Sequence, residues 1–480
     1  MPNASRAVVT DWMRYVDDSR YLSELSIPGT HDSVTALYRS DIGMKEGWTR
    51  CQDLDIETQL RQGIRFLDIR LRYDNAVSPP VLRLCHGSSD MERTFDYVLG
   101  VCERFLAAHN FECIVMSVKN EQPGHHDQAF ADLFAASIAH SGSREFWHTG
   151  KTVPKLGEVR RKIVLLRRYQ PGAIGIDATY WPDNCPFRHL NADGVLFDVQ
   201  DEYKIYSHFN RASKFDVYIE RALSDAVRDP DKRKLFINFA SGTGTVWPIT
   251  LAETTNPKLY RFFRAAAPGR YGIVPMDYPE QFTGGMYHDL IAAIVSANPS
   301  ESLRDDAIYE LRPRLALNSR LTVLVGGRDV GICQALTDLP PLWPGMPTLP
   351  GMAPMPTESG QRWRVHNVGG GYYRLHALSA PEKALTVVDG GTADGSAIAI
   401  EAVNGRNDQL WKFERMGEDP DSRRLDVGLL RISPKHAPHS VLDVFGARQE
   451  NGSPVKLYHH YDSLSINNAY AQRWVLVRVG

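Results

Sequence analysis

Gly63-Ile-Arg-Phe-Leu-Asp68-Ile69-Arg70 is a short, mostly apolar run with two charged side chains near its end. Successive side chains of a β-strand point to opposite faces, so Asp68 and Arg70 share one face and Leu67 and Ile69 share the other. A carboxylate and a guanidinium on an enclosed face are costly unless they are paired or have a role. The run therefore predicts a strand that delivers a charged pair to a barrel lumen or mouth.

Similar short apolar runs recur on both sides of this stretch, separated by longer mixed segments such as 95–109 and 128–140, which have helical character. The predicted strands are 25–28, 65–71, 81–85, 113–118, 162–166, 195–199, 234–239 and 271–276. Strands that alternate with helices in one domain predict a TIM (β/α) barrel. An open doubly wound sheet would alternate in the same way, but no Gly-rich phosphate loop follows the first strand.

The pattern changes after about residue 315, where short strand-like runs with Gly and Asn punctuation replace the helical periodicity. Gln-x-Trp occurs at 361–363, 409–411 and 472–474, each time preceded by Leu-x-Val, at 321–323, 385–387 and 442–444. Three copies of a unit too small to bury its own apolar face predict threefold stacking. We therefore expect a barrel domain over residues 1–312 and an all-β domain over residues 313–480.

The all-β domain contains an insert at 340–356 with seven prolines, which we expect to be an exposed loop because proline cannot pair in a central strand. The insert also carries Trp343 and several Leu and Met side chains. An apolar, Trp-bearing loop is suited to transient contact with a membrane surface. The alternative is that these side chains cover the junction between the two domains.

The overall composition excludes several classes of protein. A net charge of −2 and a pI of about 6.8 argue against a nucleic-acid partner, which requires a basic face. No apolar run reaches 18 residues, and the first residues lack a signal-peptide core, so we expect a cytoplasmic or peripheral membrane protein. Secretion stays open if a leader is not part of this sequence. The six cysteines lack metal-type spacing and are expected to be buried, reduced thiols.

Two further strand ends carry histidine. His31-Asp32 follows the first predicted strand, which we expect Pro28-Gly29 to break, and His86-Gly87 follows the third. Loops after the strands form the active face of a barrel. Phosphodiester cleavage needs a base, an acid and a cation for the phosphate oxygens, and two histidines with one arginine supply these parts. The alternative is that each histidine has only a structural role.

The stretch 26–33, Asp68-x-Arg70 and His86-Gly87 resemble the X domain of phosphatidylinositol-specific phospholipase C in its bacterial form, over roughly residues 10–300. The resemblance implies a distorted TIM barrel and cleavage of phosphatidylinositol through an inositol 1,2-cyclic phosphate. It implies that His31 is the general base, with Asp277 as its partner, and that His86 is the general acid.

The same resemblance assigns the remaining site residues. Asp32 would orient one imidazole, and Arg70, with Asp68 beside it, would stabilise the phosphate. The implied inositol-binding residues are Lys119, Arg167 (with Arg168 as the alternative), Asp201 and Tyr203, which would stack under the ring.

Metal use also follows from the resemblance. Calcium-dependent relatives carry an acidic residue where Arg70 stands and an asparagine after the first histidine, where this chain has Asp32. A guanidinium in the place of the metal would repel Ca²⁺ and stabilise the phosphate itself, so we expect activity without any metal or cofactor. Among inositol lipids, we expect unphosphorylated phosphatidylinositol, with a GPI anchor equally open.

The three Gln-x-Trp units resemble the ricin-type β-trefoil, in which we expect Trp363, Trp411 and Trp474 to fill the core. Sugar-binding units of that family carry an Asp after the Leu, and only the third unit has one, Asp443, with Tyr458 as a candidate aromatic platform. A glycan is therefore a further candidate partner.

Two other readings compete. A glycerophosphodiesterase-like enzyme shares the barrel, but it would carry His-Arg and a Glu-x-Asp metal pair in place of His31-Asp32 and Asp68-x-Arg70. A non-catalytic module that binds glycans or lipid head groups would not need the two histidines.

Overall fold

The computed structural model describes residues 10–38, 43–140, 142–207, 213–267, 269–282, 289–298, 303, 305–324, 326–334, 357–415, 429–460 and 470–479. The chain divides into two compact units, which span 6–299 and 300–480. The first unit is a distorted (β/α) barrel, and the second is an all-β trefoil. Both architectures are those predicted from the sequence.

The first unit is built around a largely parallel sheet. Its strands are β1 (Ser26–Thr30), β2 (Phe66–Asp74), β3 (Val81–His86), β4 (Ser89–Thr94), β5 (Ile114–Asn120), β6 (Trp147–His148), β7 (Ile163–Arg168), β8 (Ile176–Asp177), β9 (Phe187–Leu190), β10 (Leu196–Gln200), β11 (Lys204–Ile205), β12 (Leu235–Asn238), β13 (Thr243–Gly244) and β14 (Gly272–Met276). The spatial order is β6-β7-β5-β2-β1-β14-β12-β10-β9, with β8 beside β7 and a small β11–β13 pair apart.

All eight predicted strands are present, but the third has a different role from the one expected. β3 pairs antiparallel with β2 and with β4, so it forms a hairpin layer and is not one of the parallel barrel strands. The break expected at Pro28-Gly29 is also wrong, since both residues lie inside β1. Gly29 is needed there because a Cβ would come within 2.9 Å of the Phe66 side chain on the neighbouring strand.

Helices cover the barrel strands on the outside, as the sequence periodicity of the longer segments predicts. They are α1 (Gly43–Thr49), α2 (Ile56–Arg61), α3 (Phe95–Ala108), α4 (Asp127–Ala139), α5 (Glu220–Arg228), α6 (Pro248–Ala265) and α7 (Asp289–Ser296). The predicted segments 95–109 and 128–140 correspond to α3 and α4. None of the helices in the described ranges is both long enough and apolar enough to cross a bilayer.

Twelve strands lie in the described part of the second unit. They are β15 (Ala307–Pro313), β16 (Ser319–Val323), β17 (Val330–Gln334), β18 (Trp363–Gly369), β19 (Tyr372–Ala377), β20 (Lys383–Val387), β21 (Ser396–Ala402), β22 (Trp411–Arg415), β23 (Leu429–Pro434), β24 (Ser440–Val444), β25 (Ser453–His459) and β26 (Trp474–Arg478). β15, β18, β19, β22, β23 and β26 close a six-stranded barrel, and the pairs β16–β17, β20–β21 and β24–β25 form three hairpins.

The three tryptophans of the repeats are fully buried in the trefoil core, as predicted. Each indole N–H donates to the carbonyl of the leucine that opens its own Leu-x-Val, at 2.9 Å for Leu321, 2.9 Å for Leu385 and 3.0 Å for Leu442. The repeat therefore has a structural role. In each unit, a hydrogen bond links the core tryptophan to one hairpin.

The predicted boundary after residue 312 falls inside β15. This strand pairs with β18 and β26 and so belongs to the trefoil, which begins earlier than the sequence pattern indicated. The proline-rich insert at 340–356, with Trp343, lies outside the described residues. All six cysteines are free, and all but the half-buried Cys185 are buried.

Candidate active site

The carboxyl ends of the barrel strands surround a pocket of about 430 Å³. Parallel strands end at the same edge of a barrel, so residues distant in sequence meet there. The pocket is lined by His31, Trp48, Cys51, Arg70, His86, Gly87, Lys119, Glu121, Arg168, Trp181, Pro182, Asp183, Asp201, Tyr203, Gly242, Thr243 and Pro248.

His31 directly follows β1 and is held from both its backbone and its ring. Its N–H donates to the carbonyl of Met276 at the end of β14, and the Gln52 amide donates to the carbonyls of both residues at 2.8 Å. The ring Nδ1 lies 2.9 Å from Asp277 Oδ1. Because Asp277 accepts a hydrogen bond from Nδ1–H, the other ring nitrogen, Nε2, is the one left for chemistry at the pocket.

Asp32 lies within ion-pairing distance of both histidines. Its Oδ2 is 3.2 Å from Nε2 of His31 and 3.2 Å from Nε2 of His86, and its Oδ1 is 2.7 Å from Nε of Arg70. The side chain is almost fully buried, and the backbone adopts a left-handed φ of 42°, which aspartate tolerates better than most residues. One carboxylate thus couples the two imidazoles to the guanidinium.

His86 ends β3 and reaches the pocket from the hairpin layer. Its Nδ1 lies 2.8 Å from the carbonyl oxygen of Thr49, which only accepts, so Nδ1 carries the proton. The other ring nitrogen, Nε2, lies 3.2 Å from Asp32 Oδ2 and is the one left for proton transfer at the pocket. Gly87, which follows with a φ of 54°, turns the chain away from the pocket and has open space where a Cβ would stand.

Arg70 is surrounded by acidic groups. Beyond Asp32, its Nη2 donates to Asp68 Oδ2 at 3.1 Å, its Nη1 lies 3.3 Å from Glu121 Oε1, and its Nη2 lies 3.0 Å from His31 Nε2. The predicted strand alternation holds, since Asp68 and Arg70 share a face of β2. Arg70 lines the pocket, whereas Asp68, fully buried, lies behind it.

The charges around the site strongly shift the pKa values of His31 and Asp68. Burial lowers the pKa of His31, but Asp32 and Asp277 outweigh burial and the opposing Arg70 charge, so the pKa rises to about 9. For Asp68, burial raises the pKa, but Arg70, Arg168 and His31 hold it well below its usual range. The site therefore favours a protonated His31 and an ionised Asp68 at neutral pH.

The candidate inositol-binding residues are mostly brought together. Lys119, Asp201 and Tyr203 line the pocket. Arg167 does not, because its guanidinium turns outward to Asp177 Oδ2 at 2.8 Å and to the carbonyl of Tyr169. The structure therefore does not place Arg167 at the pocket, where the sequence analysis expected it. Strand alternation on β7 gives that position to its neighbour, Arg168, the alternative considered from the sequence.

Several lining residues were missed by the sequence analysis, and four of them are charged or aromatic. Glu121 follows Lys119 by two positions, so strand alternation could have found it; Lys119 Nζ lies 3.0 Å from its Oε1. Trp181 lies under the Arg168 guanidinium at 3.8 Å and donates to Asp201 Oδ2 at 2.8 Å. The other two are Trp48 and Asp183, and like Trp181 they lie outside the predicted strands, where no periodicity points to the pocket.

The site also contains donor atoms suited to a metal. Donor atoms of His31, Asp32 and Cys51 lie within 4.8 Å of one another. The cation at this position is nevertheless the Arg70 guanidinium, which contacts both His31 and Asp32 directly. The one carboxylate of this group, Asp32, is thus already paired with a side-chain cation.

Comparison with known proteins agrees with this geometry. Residues 25–169 match the family model of the phosphatidylinositol-specific phospholipase C X domain, and residues 359–458 match that of the ricin-type beta-trefoil lectin domain-like family. The chain is 29% identical over 303 residues to a 1-phosphatidylinositol phosphodiesterase of Staphylococcus aureus, covering 60% of this chain and 94% of that protein.

A second relative, a 1-phosphatidylinositol phosphodiesterase of Listeria monocytogenes, is 28% identical over 297 residues, covering 59% of this chain and 85% of the relative. A solved structure of the S. aureus phosphatidylinositol-specific phospholipase C superimposes with a TM-score of 0.54 and 27% identity, covering 61% of this chain and 98% of that one.

Proposed function

We propose that this chain, which carries a phosphatidylinositol-specific phospholipase C X domain, is a phosphatidylinositol phosphodiesterase that releases diacylglycerol and inositol 1,2-cyclic phosphate. The observation that carries the proposal is the Asp32 carboxylate shared by His31, His86 and Arg70 at the pocket. It brings two proton-transfer groups and one phosphate-binding cation within ion-pairing distance of a single carboxylate.

His31 is the general base of this reaction. In its neutral form, Nδ1–H donates to Asp277 and the Nε2 lone pair accepts the proton of the inositol 2-hydroxyl. The oxygen then forms a bond to phosphorus and closes the cyclic phosphate. Asp277 stabilises the imidazolium that results, and it is itself held by the backbone N–H of Gly242, 3.3 Å from its Oδ2.

His86 is the general acid. The bond between phosphorus and the diacylglycerol oxygen breaks, and that oxygen takes the proton from His86 Nε2, so protons and charge balance over the step. The carbonyl of Thr49 keeps Nδ1–H fixed, so the imidazole presents the same nitrogen in both protonation states. Asp32 stabilises the proton on Nε2 before transfer.

Arg70 stabilises the phosphate. Its planar fork suits the equatorial oxygens, and its fixed bonds to Asp32, Asp68 and Glu121 mean that no reorganisation is needed when negative charge develops. Since this guanidinium already neutralises the carboxylates of the site, we expect turnover without metal. Arg168, Lys119, Asp201 and Tyr203 bind the head group.

The pocket rim carries two half-exposed tryptophans that suit a membrane surface. Trp48 and Trp247 are each 39% exposed, and their rings meet edge to face at 6.4 Å. Tryptophan is favoured at the boundary of water and lipid, so this pair supports transient contact with the bilayer that contains the substrate. Trp48→Ala and Trp247→Ala should slow hydrolysis in vesicles more than hydrolysis of a soluble inositol phosphodiester. Equal losses on both substrates would contradict the membrane role.

The decisive test is ³¹P NMR of phosphatidylinositol vesicles incubated with the protein in EDTA. We expect a cyclic phosphodiester resonance, which His31→Ala should abolish. Formation of phosphatidic acid would refute the reaction, and full loss of turnover in EDTA that Ca²⁺ restores would refute metal independence. Hydrolysis of glycerophosphocholine would instead favour the glycerophosphodiesterase alternative. That family has a Glu-x-Asp metal pair where this chain has Asp68-x-Arg70.

A glycan ligand for the trefoil stays a prediction. Asp443 is buried, and Lys456, which is opposite Asp443 on β25, lies 4.4 Å from the Phe445 ring. Binding on a glycan array, lost on Asp443→Asn, would support it.

A further inference from the structure

Lys214 is a buried lysine that the proposed reaction does not use. Its side chain is only 1% exposed. It opens the segment Lys214–Ile219, which has π-helical hydrogen bonding and continues into α5. π-Helical turns are rare and often occur at functional sites, which makes the hydrogen bonds of this side chain informative.

The ammonium bonds to the chain on both sides of a pocket residue. Nζ donates to Gln200 Oε1 at 3.0 Å and to the carbonyl of Glu202 at 2.6 Å. The residue between them is Asp201, which lines the pocket and accepts the indole N–H of Trp181. Tyr203, which follows, also lines the pocket. Lys214 is thus hydrogen-bonded to the segment that carries Asp201 and Tyr203, two of the candidate head-group contacts.

The contact is part of a closed ring of buried hydrogen bonds. The Gln200 amide donates to Asn238 Oδ1 at 2.8 Å and to the carbonyl of Phe239 at 2.9 Å. Asn238 in turn donates to the carbonyl of Ile219, at the end of the segment that Lys214 begins. Every link is short, so a displacement of Lys214 is transmitted to the end of β10.

The burial of this charge is costly, which argues for a role. Among the residues that the structure describes, no carboxylate lies within ion-pairing distance of Nζ, so two neutral oxygens replace its hydration. Burial lowers the pKa of Lys214 to about 8, against the charges of Asp201, Glu202 and Asp277. A neutral apolar side chain would fill the same space at lower cost.

We propose that Lys214 is a positioning residue that fixes the 200–203 segment and thereby sets the Asp201 and Tyr203 wall of the head-group site. The inference rests on the proposed function for its kinetic effect. Lys214 touches neither the pocket nor the reacting atoms, and it acts through Gln200 and the Glu202 carbonyl.

The test compares Lys214→Met with the wild type on a soluble inositol phosphodiester. Loss of the Lys214 bonds should let the Asp201 and Tyr203 wall move and so raise KM by about tenfold or more, with kcat changed by less than about threefold. Lys214→Gln, which keeps an N–H donor, should lie between the two and serves if the Met variant does not fold.

The matched control is Lys258→Met. Lys258 Nζ lies 2.7 Å from both carboxylate oxygens of Asp216, in the same π-helical segment, whereas the bonds to Gln200 and to the Glu202 carbonyl are made by Lys214. KM should stay within about twofold of wild type, as expected when a surface ion pair is removed. An equal rise in KM for both lysine variants would overturn the proposal, because it would mean that loosening the segment is sufficient.

A second measurement does not depend on activity. Amide hydrogen exchange of the 200–204 peptide should accelerate at least about tenfold in Lys214→Met and not in Lys258→Met, since local opening frees the Glu202 N–H from Gln200 Oε1. Unchanged exchange would refute the positioning role. If the wild type fails to cleave phosphatidylinositol, the proposed function fails, but the exchange result still decides the role of Lys214.

Discussion

The part of β2 that pairs with β5, Phe66–Leu71, has an arginine near each end, and the two side chains are satisfied in different ways. Arg65, just before the strand, is fully buried: its Nε donates to Glu112 at 2.8 Å, and its Nη1 donates to the carbonyls of Leu60 and Ile64 at 2.7 Å. Its guanidinium also lies 4.6 Å from the centre of the Phe105 ring. All these partners are fixed parts of the fold.

Arg70, five residues later, has partners of another kind. They are three carboxylates and the imidazole of His31, and the guanidinium lines the pocket. An arginine saturated by carbonyls and one carboxylate has nothing left for a ligand. An arginine held by an excess of acidic groups beside a cavity is oriented and still available to an anion. We take this difference as the mark of a site.

Of the two arginine substitutions, Arg70→Lys should have the larger effect on activity. The substitution keeps the charge but removes the planar fork, so the preorganised contact to the phosphate is lost and kcat/KM should fall by about 10²–10³-fold. Unfolding in urea should change little, because lysine still neutralises the carboxylates around it. An Arg70→Lys enzyme with near wild-type kcat/KM on a soluble inositol phosphodiester would mean that the two arginines do not differ in function.

The matched substitution at the other end, Arg65→Lys, should do the reverse. A lysine cannot reach Glu112 and two carbonyls at once, and each buried acceptor left without a donor costs about 1–3 kcal/mol. We therefore expect the free energy of unfolding to fall by about 2–3 kcal/mol, as urea denaturation would measure. The kcat of the folded fraction should be unchanged. A catalytic defect without loss of stability would contradict the structural role of Arg65.

The sequence predicted the framework of this comparison better than its details. Alternation along β2 put Asp68 and Arg70 on one face, because a strand has a strict period of two. The same rule separates Arg167 from Arg168, but it does not say which of two adjacent arginines faces inward without the register, here Arg167 beside Val118 and Arg168 beside Lys119. Register is set by packing across strands, which a single sequence does not reveal.

Contacts made by loops were beyond reach for a related reason. Trp181 and Asp183 have no periodicity, and their position depends on how the chain between β8 and β9 closes over Arg168. Lys214 was missed because a lysine in a helical segment is ordinarily solvated. In the trefoil, by contrast, the Gln-x-Trp repeat predicted the burial of all three tryptophans, since threefold repetition reports packing directly.

A smaller effect concerns the pH dependence of kcat/KM, which should respond to changes in the site but not to Arg65→Lys. Because Asp32 and Asp277 raise the pKa of His31 to about 9, the neutral base is the minor form at pH 7. On a soluble inositol phosphodiester with a nitrophenyl leaving group, which needs little protonation by His86, activity depends mainly on that neutral form of His31, so kcat/KM should rise with pH, by about tenfold from pH 7 to pH 8, and level off above pH 9.

Asp277→Asn removes one of the two carboxylates that raise this pKa and should move the rising limb to lower pH. Arg65→Lys, at the other end of the barrel, should leave the limb in place. The measurement is kcat/KM on a soluble inositol phosphodiester between pH 6 and pH 10. A flat profile, or one that falls across pH 7–9, would be inconsistent with His31 as the base.

The smallest expected effect is that of His86→Ala on a substrate with a good leaving group. On phosphatidylinositol, loss of the acid should cost about 10²–10⁴-fold, because the diacylglycerol alkoxide leaves poorly without a proton. On a nitrophenyl inositol phosphate the leaving group needs little protonation, so the loss should be less than about tenfold. His31→Ala should be severely impaired on both substrates, since the 2-hydroxyl must be deprotonated in either case. Equal losses for the two histidines on the nitrophenyl ester would remove the distinction between base and acid, and with it the unequal partners that Asp277 and Thr49 give these rings.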